Sequence, residues 1–165
     1  GGVGKTTLVK EVAKQAGEQK LFDEMVMSVI SQTLNVRNIQ GEIADKLGLK
    51  LEQESESGRA TRLCERLKQS TGVLLILDDV WRLLDLGAIG IPHNDVHKGC
   101  KLLLTSRSKD VCYEMNAQVC VPVNALSKLD AWNLFSKMAN ITNNSDVHLL
   151  ATKVAERCAG LPLAL

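Results

Sequence analysis

Short apolar runs alternate with stretches of helical periodicity along most of this chain. Residues 25–30, 73–77, 101–105 and 119–121 are mainly apolar and short, as buried strands are. Between them, apolar residues recur three and four positions apart, which predicts amphipathic helices. Strands that alternate with helices in this way are typical of a parallel α/β sheet with crossover helices.

Capping residues predict where several of these helices begin and end. A first helix is expected over residues 5–16, with Gly17 at its end. A second is expected between Asn35 as its N-cap and Gly48 as its stop. Residues 52–58 are polar and acidic and are predicted to form a surface loop. Two further helices are expected, around residues 60–67 and 110–115.

The C-terminal part of the chain has helical patterns and lacks strand-like runs. Ser127 and Asp130 have the spacing of a capping box, which predicts the start of a helix. A second helical pattern covers residues 147–158. We therefore predict an α/β domain over residues 1–125, followed by the start of a small helical subdomain over residues 126–165.

The chain opens with a glycine-rich segment that has the spacing of a phosphate-binding loop. The segment consists of Gly1, Gly2, Val3, Gly4, Lys5, Thr6 and Thr7. It matches the later part of the pattern G-x-x-x-x-G-K-S/T, whose first glycine falls before residue 1. An apolar helical pattern follows directly, as it does after such loops. We therefore expect the chain to be part of a longer protein and to lack the strand that leads into the loop.

The residue types of this loop predict how it binds phosphate. Glycines allow positive φ angles, and successive backbone N–H groups can then point at an anion. The N-terminus of the following helix adds a partial positive charge. Lys5 would reach the β- and γ-phosphates, and the Thr6 hydroxyl would bind Mg²⁺. The predicted ligand is a nucleoside di- or triphosphate with magnesium.

Charged residues follow two of the predicted strands, at the sheet edge where parallel sheets bind ligands. Asp78 and Asp79 end the most apolar run, and Arg107 ends the next one. Asp78 is expected to bind Mg²⁺, which prefers hard oxygen ligands. Asp79 is predicted to be catalytic by orienting or deprotonating water, and Arg107 to bind the γ-phosphate. An ordinary turn and a solvated arginine are the simpler alternatives for these positions.

Composition and residue spacing give no support for several other classes of function. A net charge of +1 and aromatic residues at 3% give no support for nucleic-acid binding. No apolar run reaches the about 18 residues that a membrane-spanning helix needs. The five cysteines form no C-x-x-C pair and the three histidines lack the spacing of metal ligands. Reduced thiols in a cytoplasmic protein are the expectation.

Five segments in this order resemble the NB-ARC nucleotide-binding region of plant intracellular immune receptors with leucine-rich repeats. They lie at residues 1–7, 21–32, 74–81, 99–107 and 160–165. The resemblance covers the whole chain. Trp81, after the acidic pair, is similar to receptors with an N-terminal coiled coil rather than a TIR domain. Met27 departs from the pattern, because many of these receptors have tryptophan there.

This resemblance implies a fold and a function. The fold would be a P-loop NTPase sheet with strand order 5-1-4-3-2, in which the Arg107 strand lies between the loop strand and the Asp78 strand. The cofactors would be ADP or ATP with Mg²⁺, and Pro162 would lie against the adenine. Receptors of this family exchange ADP for ATP, hydrolyse ATP slowly, oligomerise on activation and signal a defence response. Their coiled-coil and leucine-rich-repeat domains would be the partners of this region.

Two other classes of protein use a similar loop. Partition or iron–sulfur-carrier ATPases have G-G-V-G-K-T-T after a signature lysine, but Trp81 and the strandless C-terminal part disfavour that class. A metabolic P-loop kinase needs an arginine-rich lid, and the sequence has no such cluster. A switch that binds adenine nucleotides is therefore the preferred interpretation.

Overall fold

In the computed structural model, helices and strands are interspersed up to Ser106, and the elements described after it are helices. The structure describes residues 1–92, 99–141 and 145–165, with the backbone alone for residues 145–147. The histidines at positions 93 and 97 lie outside the described residues. The strands are β1 (Glu24–Val29), β2 (Val73–Val80) and β3 (Cys100–Ser106). The helices are α1 (Lys5–Glu18), α2 (Val36–Lys46), α3 (Glu56–Gln69), α4 (Leu86–Ile89), α5 (Lys109–Glu114), α6 (Lys128–Met138) and α7 (Ser145–Arg157).

The chain divides into two compact units. Val9–Cys120 forms the first, which we call the sheet unit. Gly1–Leu8 and Val121–Leu165 form the second, which we call the loop–tail unit. The acidic pair and the arginine predicted to bind the γ-phosphate belong to the sheet unit. The glycine-rich loop and the proline predicted to contact adenine belong to the loop–tail unit.

The sheet unit is built on three parallel strands in the order β1-β2-β3. Leu75 of β2 pairs with Val26 on one side and with Leu102 on the other. The strand that carries the acidic pair, β2, therefore lies between β1 and β3. This agrees with the 4-3-2 part of the predicted order, in which the Arg107 strand, the Asp78 strand and the strand at residues 25–30 are neighbours. A parallel sheet flanked by helices confirms the predicted α/β fold.

The central strand β2 is apolar from Val73 to Leu77 because helices cover both of its faces. Alternate side chains of a strand point to opposite faces. Leu75 and Leu77 belong to a core cluster with α2 and α3, whereas Leu74 and Ile76 belong to a cluster with Val9 of α1. All of these side chains are buried. A strand covered on both faces needs a continuous apolar run, and such a run can be recognised in a sequence.

The predicted caps of α2 and α6 are confirmed. The Asn35 side chain accepts a hydrogen bond from the N–H of Asn38 at 2.9 Å. Gly48 follows α2 with a φ of 62°, a backbone conformation that suits glycine. The Ser127 hydroxyl accepts a hydrogen bond from the N–H of Asp130 at 3.1 Å and donates one to its carboxylate at 2.6 Å. Short polar side chains thus determine where these helices begin.

Two predicted helix boundaries are wrong. α1 runs through Gly17, which the sequence predicts as its end. A glycine inside a helix costs only about 1 kcal/mol relative to alanine, so the preceding turns can carry the helix through it. α3 begins inside the predicted surface loop of residues 52–58. It starts there because the Ser55 hydroxyl accepts a hydrogen bond from the N–H of Gly58 and caps the helix.

The predicted strand at residues 119–121 is also wrong. Val119 and Val121 are 79% and 76% exposed, and no described strand lies beside them. In the predicted order this strand pairs with the one that leads into the loop, and an unpaired run of three residues has no ladder of hydrogen bonds to stabilise it. α4 was not predicted from the sequence, because four residues are too few to show a helical period.

In the loop–tail unit, α6 and α7 pack against each other. The rings of Trp132 and His148 lie 4.7 Å apart between their centroids. Ala131 of α6 and Ala151 and Ala155 of α7 are buried, and small residues of this kind allow close packing. The unit therefore contains the two helices that the sequence predicts. The domain boundary at residue 125 stays a prediction.

Gly160 connects the segment after α7 to the segment before α6. Its carbonyl oxygen accepts a hydrogen bond from the N–H of Leu126 at 2.8 Å. Its φ is 71°, and a β-carbon there would lie 2.3 Å from the carbonyl oxygen of Leu126. This position therefore requires glycine for both its backbone conformation and its lack of a side chain.

Replacing Gly160 by alanine is expected to break this connection, because the backbone of Leu126 must move away from the new methyl group. The Leu126 amide should then lose at least about tenfold of its protection from hydrogen exchange, the equivalent of one hydrogen bond. Hydrogen exchange followed by mass spectrometry or NMR measures this. Unchanged protection of Leu126 would contradict the assignment.

Candidate functional site

The acidic pair lies at the carboxyl-terminal end of the central strand. Asp78 is buried, at 2% exposure, whereas the Asp79 side chain is 31% exposed. Asp79 has a φ of 57°, in the left-handed region that few residues other than glycine adopt. The pairing of β2 with β3 shifts register between Leu77 and Val80, around the same point. The two carboxylates therefore occupy different environments, as the different roles predicted for them require.

Thr105 of β3 links the two aspartates through one hydroxyl group. Its oxygen donates a hydrogen bond to Oδ1 of Asp78 at 2.6 Å and accepts one from the N–H of Asp79 at 2.9 Å. Thr105 is itself buried. The hydroxyl thus holds the Asp78 carboxylate and stabilises the left-handed backbone of Asp79. Thr105 is not among the site residues predicted from the sequence. A hydroxyl residue two positions before Arg107 is the signal that could have suggested one.

Arg107 follows the end of β3 and pairs with the second aspartate. Its Nε donates a hydrogen bond to Oδ1 of Asp79 at 3.2 Å. The indole Nε1 of Trp81 donates to Oδ2 of the same carboxylate at 3.0 Å. The Arg107 guanidinium carbon also lies 4.4 Å from the centre of the Trp81 ring, a cation–π distance. The structure therefore brings together two predicted site residues, Asp79 and Arg107, and adds Trp81 to them.

In the loop–tail unit, the glycine-rich loop has the backbone of an anion-binding segment. Gly2 and Gly4 have φ angles of 84° and 92°. α1 begins at Lys5, and the N–H of Leu8 donates to the Gly4 carbonyl oxygen at 2.9 Å. Left-handed residues alternating with others turn successive N–H groups toward one side, and a helix N-terminus follows. This arrangement fits a bound phosphate group.

The other predicted loop residues surround this turn. Lys5 and Val3 are half-buried, and the exposed members are Gly1, Thr6 and Thr7. Thr6 and the Asp78 carboxylate of the sheet unit both carry oxygen atoms of the kind that Mg²⁺ prefers. Their donor chemistry therefore fits the predicted metal, and the assignment itself stays a prediction.

The C-terminal segment lies against the loop within the same unit. The N–H of Leu163 donates to the carbonyl oxygen of Gly2 at 3.3 Å. Cγ of Pro162 lies 3.8 Å from the place that a β-carbon on Gly4 would occupy. The structure therefore brings Pro162 to the glycine loop, although the two are at opposite ends of the sequence. Contact between Pro162 and adenine stays a prediction.

Two cysteines of the sheet unit, Cys100 and Cys112, have a raised pKa. Burial raises the pKa of Cys100, and the neighbouring Cys64 raises it further. Burial also raises the pKa of Cys112, with a hydrogen bond to Cys120 as the next cause. Thiols with a raised pKa are weak nucleophiles and weak metal ligands at neutral pH. Cys120 is exposed, whereas the other cysteines are half-buried. Among the described residues, no group of three potential ligands is placed to bind a metal ion.

A comparison with known protein families agrees with the order of the motifs along the chain. The family model described as NB-ARC domain matches residues 1–145. The chain belongs to the NB-ARC family. This confirms the resemblance inferred from the sequence, and membership of the NB-ARC family implies nucleotide binding.

Similar proteins support the NB-ARC assignment over the whole chain. Disease resistance protein At4g27190 of Arabidopsis thaliana is 39% identical over 170 residues, and RPS5 of the same plant is 36% identical over 172. Probable disease resistance protein At1g61310 is 42% identical over 172 residues. These matches cover 100% of this chain but only 17%, 19% and 18% of the three relatives, respectively. In the part of the NB-ARC chain that is described, no helix has the length and apolar character needed to cross a bilayer.

Proposed function

We propose that this NB-ARC domain binds ADP and ATP with Mg²⁺ and uses the exchange between them as a conformational switch. The observation that carries the proposal is the left-handed pair Gly2 and Gly4, directly before Lys5 at the start of α1. This backbone suits a phosphate group, and it occurs in a chain that the NB-ARC model matches over residues 1–145. Residues 1–7 would bind the phosphates, with Lys5 at the β- and γ-positions.

The remaining roles are assigned from the motifs. Thr6 and Asp78 would bind Mg²⁺, which neutralises phosphate charge when it is bound. Pro162 would contact the adenine, and Arg107 the γ-phosphate. Asp79 would orient or deprotonate the attacking water, with slow, regulatory hydrolysis. The assignment of both groups of residues to one nucleotide rests on the order of these motifs along the chain.

Direct titration tests the ligand. Isothermal calorimetry of the complete protein is carried out with ADP, ATP and GDP, each with Mg²⁺. ADP and ATP are expected to bind at least about tenfold more tightly than GDP. The reason is that the edges of adenine and guanine differ in their hydrogen-bond donors and acceptors. Absence of binding by either adenine nucleotide would overturn the proposal. Equal binding of GDP would overturn its adenine specificity.

The different environments of the two aspartates predict different effects of substitution. Asp78→Asn keeps an acceptor for the Thr105 hydroxyl but removes a charge, so it is expected to lower Mg²⁺-dependent ADP affinity about tenfold and to leave affinity in EDTA unchanged. Asp79→Asn is expected to slow ATP hydrolysis at least about tenfold, within the usual contribution of a general base, while ADP affinity stays within twofold. Calorimetry and phosphate release measure the two effects. Identical profiles for the two variants would contradict this division of roles.

We further propose that the domain serves a plant disease resistance protein in the defence response. The names of the similar proteins support this. Coiled-coil and leucine-rich-repeat domains would be its partners, in the cytoplasm, and ATP binding would lead to oligomers. Light scattering of the complete protein should then give a larger mass with ATP than with ADP. Equal masses would refute the oligomerisation step.

A further inference from the structure

Among the described residues of the sheet unit, Arg107 contacts two side chains at the end of β2. Asp79 accepts its Nε hydrogen bond at 3.2 Å, and the face of Trp81 lies 4.4 Å from its guanidinium carbon. Trp81 also donates its indole N–H to Asp79 at 3.0 Å. The three side chains therefore contact one another pairwise. We call them the arginine clamp.

We propose that the arginine clamp makes Asp79 a competitor of the γ-phosphate for Arg107, and that Trp81 is a positioning residue that keeps the guanidinium in place when Arg107 exchanges one partner for the other. The inference rests on the proposed function, because it takes Arg107 as the residue that binds the γ-phosphate. It adds that the selection of ATP over ADP depends on Asp79 and Trp81 as well as on Arg107.

The chemistry of the two contacts explains why one is exchanged and the other retained. The Arg107 and Asp79 side chains are 53% and 31% exposed, and ion pairs that water can reach contribute little to stability. A guanidinium–phosphate contact is charge-assisted and bidentate when the geometry allows. The Asp79 contact occupies an N–H donor of the guanidinium, whereas the cation–π contact is made with the face of the Trp81 ring and needs no hydrogen bond. The ring can therefore hold Arg107 during the exchange.

The same exchange couples recognition of ATP to its hydrolysis. While Arg107 donates to Asp79, one carboxylate oxygen is engaged by the guanidinium and the other by the Trp81 indole. When Arg107 turns to the γ-phosphate, Asp79 loses the ionic partner and gains an acceptor oxygen for a water proton. Thr105 holds the Asp79 backbone through its N–H, so the carboxylate stays at the strand end. Binding of Arg107 to the γ-phosphate thus frees Asp79, the predicted base for hydrolysis of that phosphate.

Affinities for ADP and for a non-hydrolysable ATP analogue test the clamp in the complete protein. Arg107→Ala is expected to weaken binding of the ATP analogue about tenfold or more and to leave ADP affinity within twofold, since the γ-phosphate contact is the nucleotide contact that is lost. Arg82→Ala, an exposed arginine nearby, is the matched charge control and should change neither affinity. Asp79→Asn should tighten the ATP analogue about two- to fivefold without changing ADP, because it removes the charged competitor.

The role of Trp81 is tested by substitutions that separate its ring from its N–H group. Trp81→Leu removes the ring and is expected to lower the affinity for the ATP analogue about two- to fivefold. An exposed cation–π contact contributes a free energy of this size. Trp81→Phe keeps an aromatic face and should restore the wild-type affinity to within twofold. In the Arg107→Ala background, Trp81→Leu should have no further effect, because the two residues act on the same contact.

A spectroscopic readout follows the clamp without relying on hydrolysis. The surroundings of the Trp81 indole change when Arg107 exchanges Asp79 for the γ-phosphate. The ATP analogue should therefore change the tryptophan emission of the wild type more than ADP does. The difference should disappear in Trp81→Phe and persist in Trp132→Phe, which alters the second tryptophan of this chain. Thermal unfolding of each variant shows that it is folded.

The outcomes separate the clamp from the proposed function. An equal loss of affinity for ADP and for the ATP analogue in Arg107→Ala would overturn the proposed role of Arg107 and, with it, the clamp. A selective loss of the ATP analogue in Arg107→Ala, together with unchanged affinities in both Trp81→Leu and Asp79→Asn, would overturn the clamp alone. An additive effect of Trp81→Leu in the Arg107→Ala background would also overturn it.

Discussion

Replacing Lys5 by alanine is expected to lower the affinity for ADP at least about a hundredfold. Lys5 carries the only side-chain positive charge among residues 1–7, and it opens α1 directly after the left-handed Gly4. A hydrogen bond from a charged group is worth about 1.5–3 kcal/mol, and a lysine that reaches two phosphates makes more than one such contact. Isothermal calorimetry of the complete protein with ADP and Mg²⁺ measures the loss.

Lys10→Ala is the matched control for this substitution. Lys10 lies on the same helix, is exposed and has the same charge, so its loss changes the overall electrostatics equally. We expect an ADP affinity within twofold of the wild type. If Lys5→Ala weakened ADP no more than Lys10→Ala does, the loop would not be the phosphate site, whatever its backbone geometry.

Replacing Gly90 by alanine is expected to destabilise the sheet unit by about 2–5 kcal/mol. Gly90 ends α4 with a φ of 94°, which costs alanine about 1–2 kcal/mol. A β-carbon there would also lie 2.4 Å from the carbonyl oxygen of Ala60 and 2.8 Å from its Cα, and forcing α4 away from α3 adds about 1–3 kcal/mol. Total stabilities are only about 5–15 kcal/mol, so this loss is a large fraction. Thermal or denaturant unfolding measures it.

Gly48→Ala separates the two contributions to this loss. Gly48 also has a positive φ, of 62°, but a β-carbon there would meet no atom within 4 Å. We therefore expect Gly48→Ala to cost about 1–2 kcal/mol, from the backbone conformation alone. Equal losses in the two variants would show that the contact between α4 and α3 adjusts without cost, contrary to the expectation for close-packed backbone.

The sequence alone determined the elements whose signals are local. β2 could be predicted because burial on both faces demands a continuous apolar run, and α2 and α6 because Asn35 and Ser127 cap them through residues three positions away. The glycine-rich loop could be recognised because phosphate binding requires particular residue types at fixed spacing. The resemblance to the NB-ARC family also follows from the sequence, because five short segments carry it by their residues and their order.

Predictions failed where an element depends on its neighbours or where one local signal outweighs another. The strand expected at residues 119–121 needs a partner strand that its own side chains do not specify. Gly17 looks like a helix end in sequence, yet the helix continues because a single glycine costs too little to stop it. The length of α3 depended on the Ser55 cap inside a stretch whose polarity suggested a loop.

In the candidate site, the sequence determined which residues carry the chemistry, and tertiary structure decided which of them touch. Asp78, Asp79 and Arg107 could be named because each follows an apolar run. That Thr105 links the aspartates, and that Trp81 and Asp79 hold Arg107, follows from the pairing of β2 with β3, which joins residues 26 to 28 positions apart in the chain. Hydrogen bonds at such separations depend on strand register, and register is set by packing across the whole sheet rather than by any local pattern.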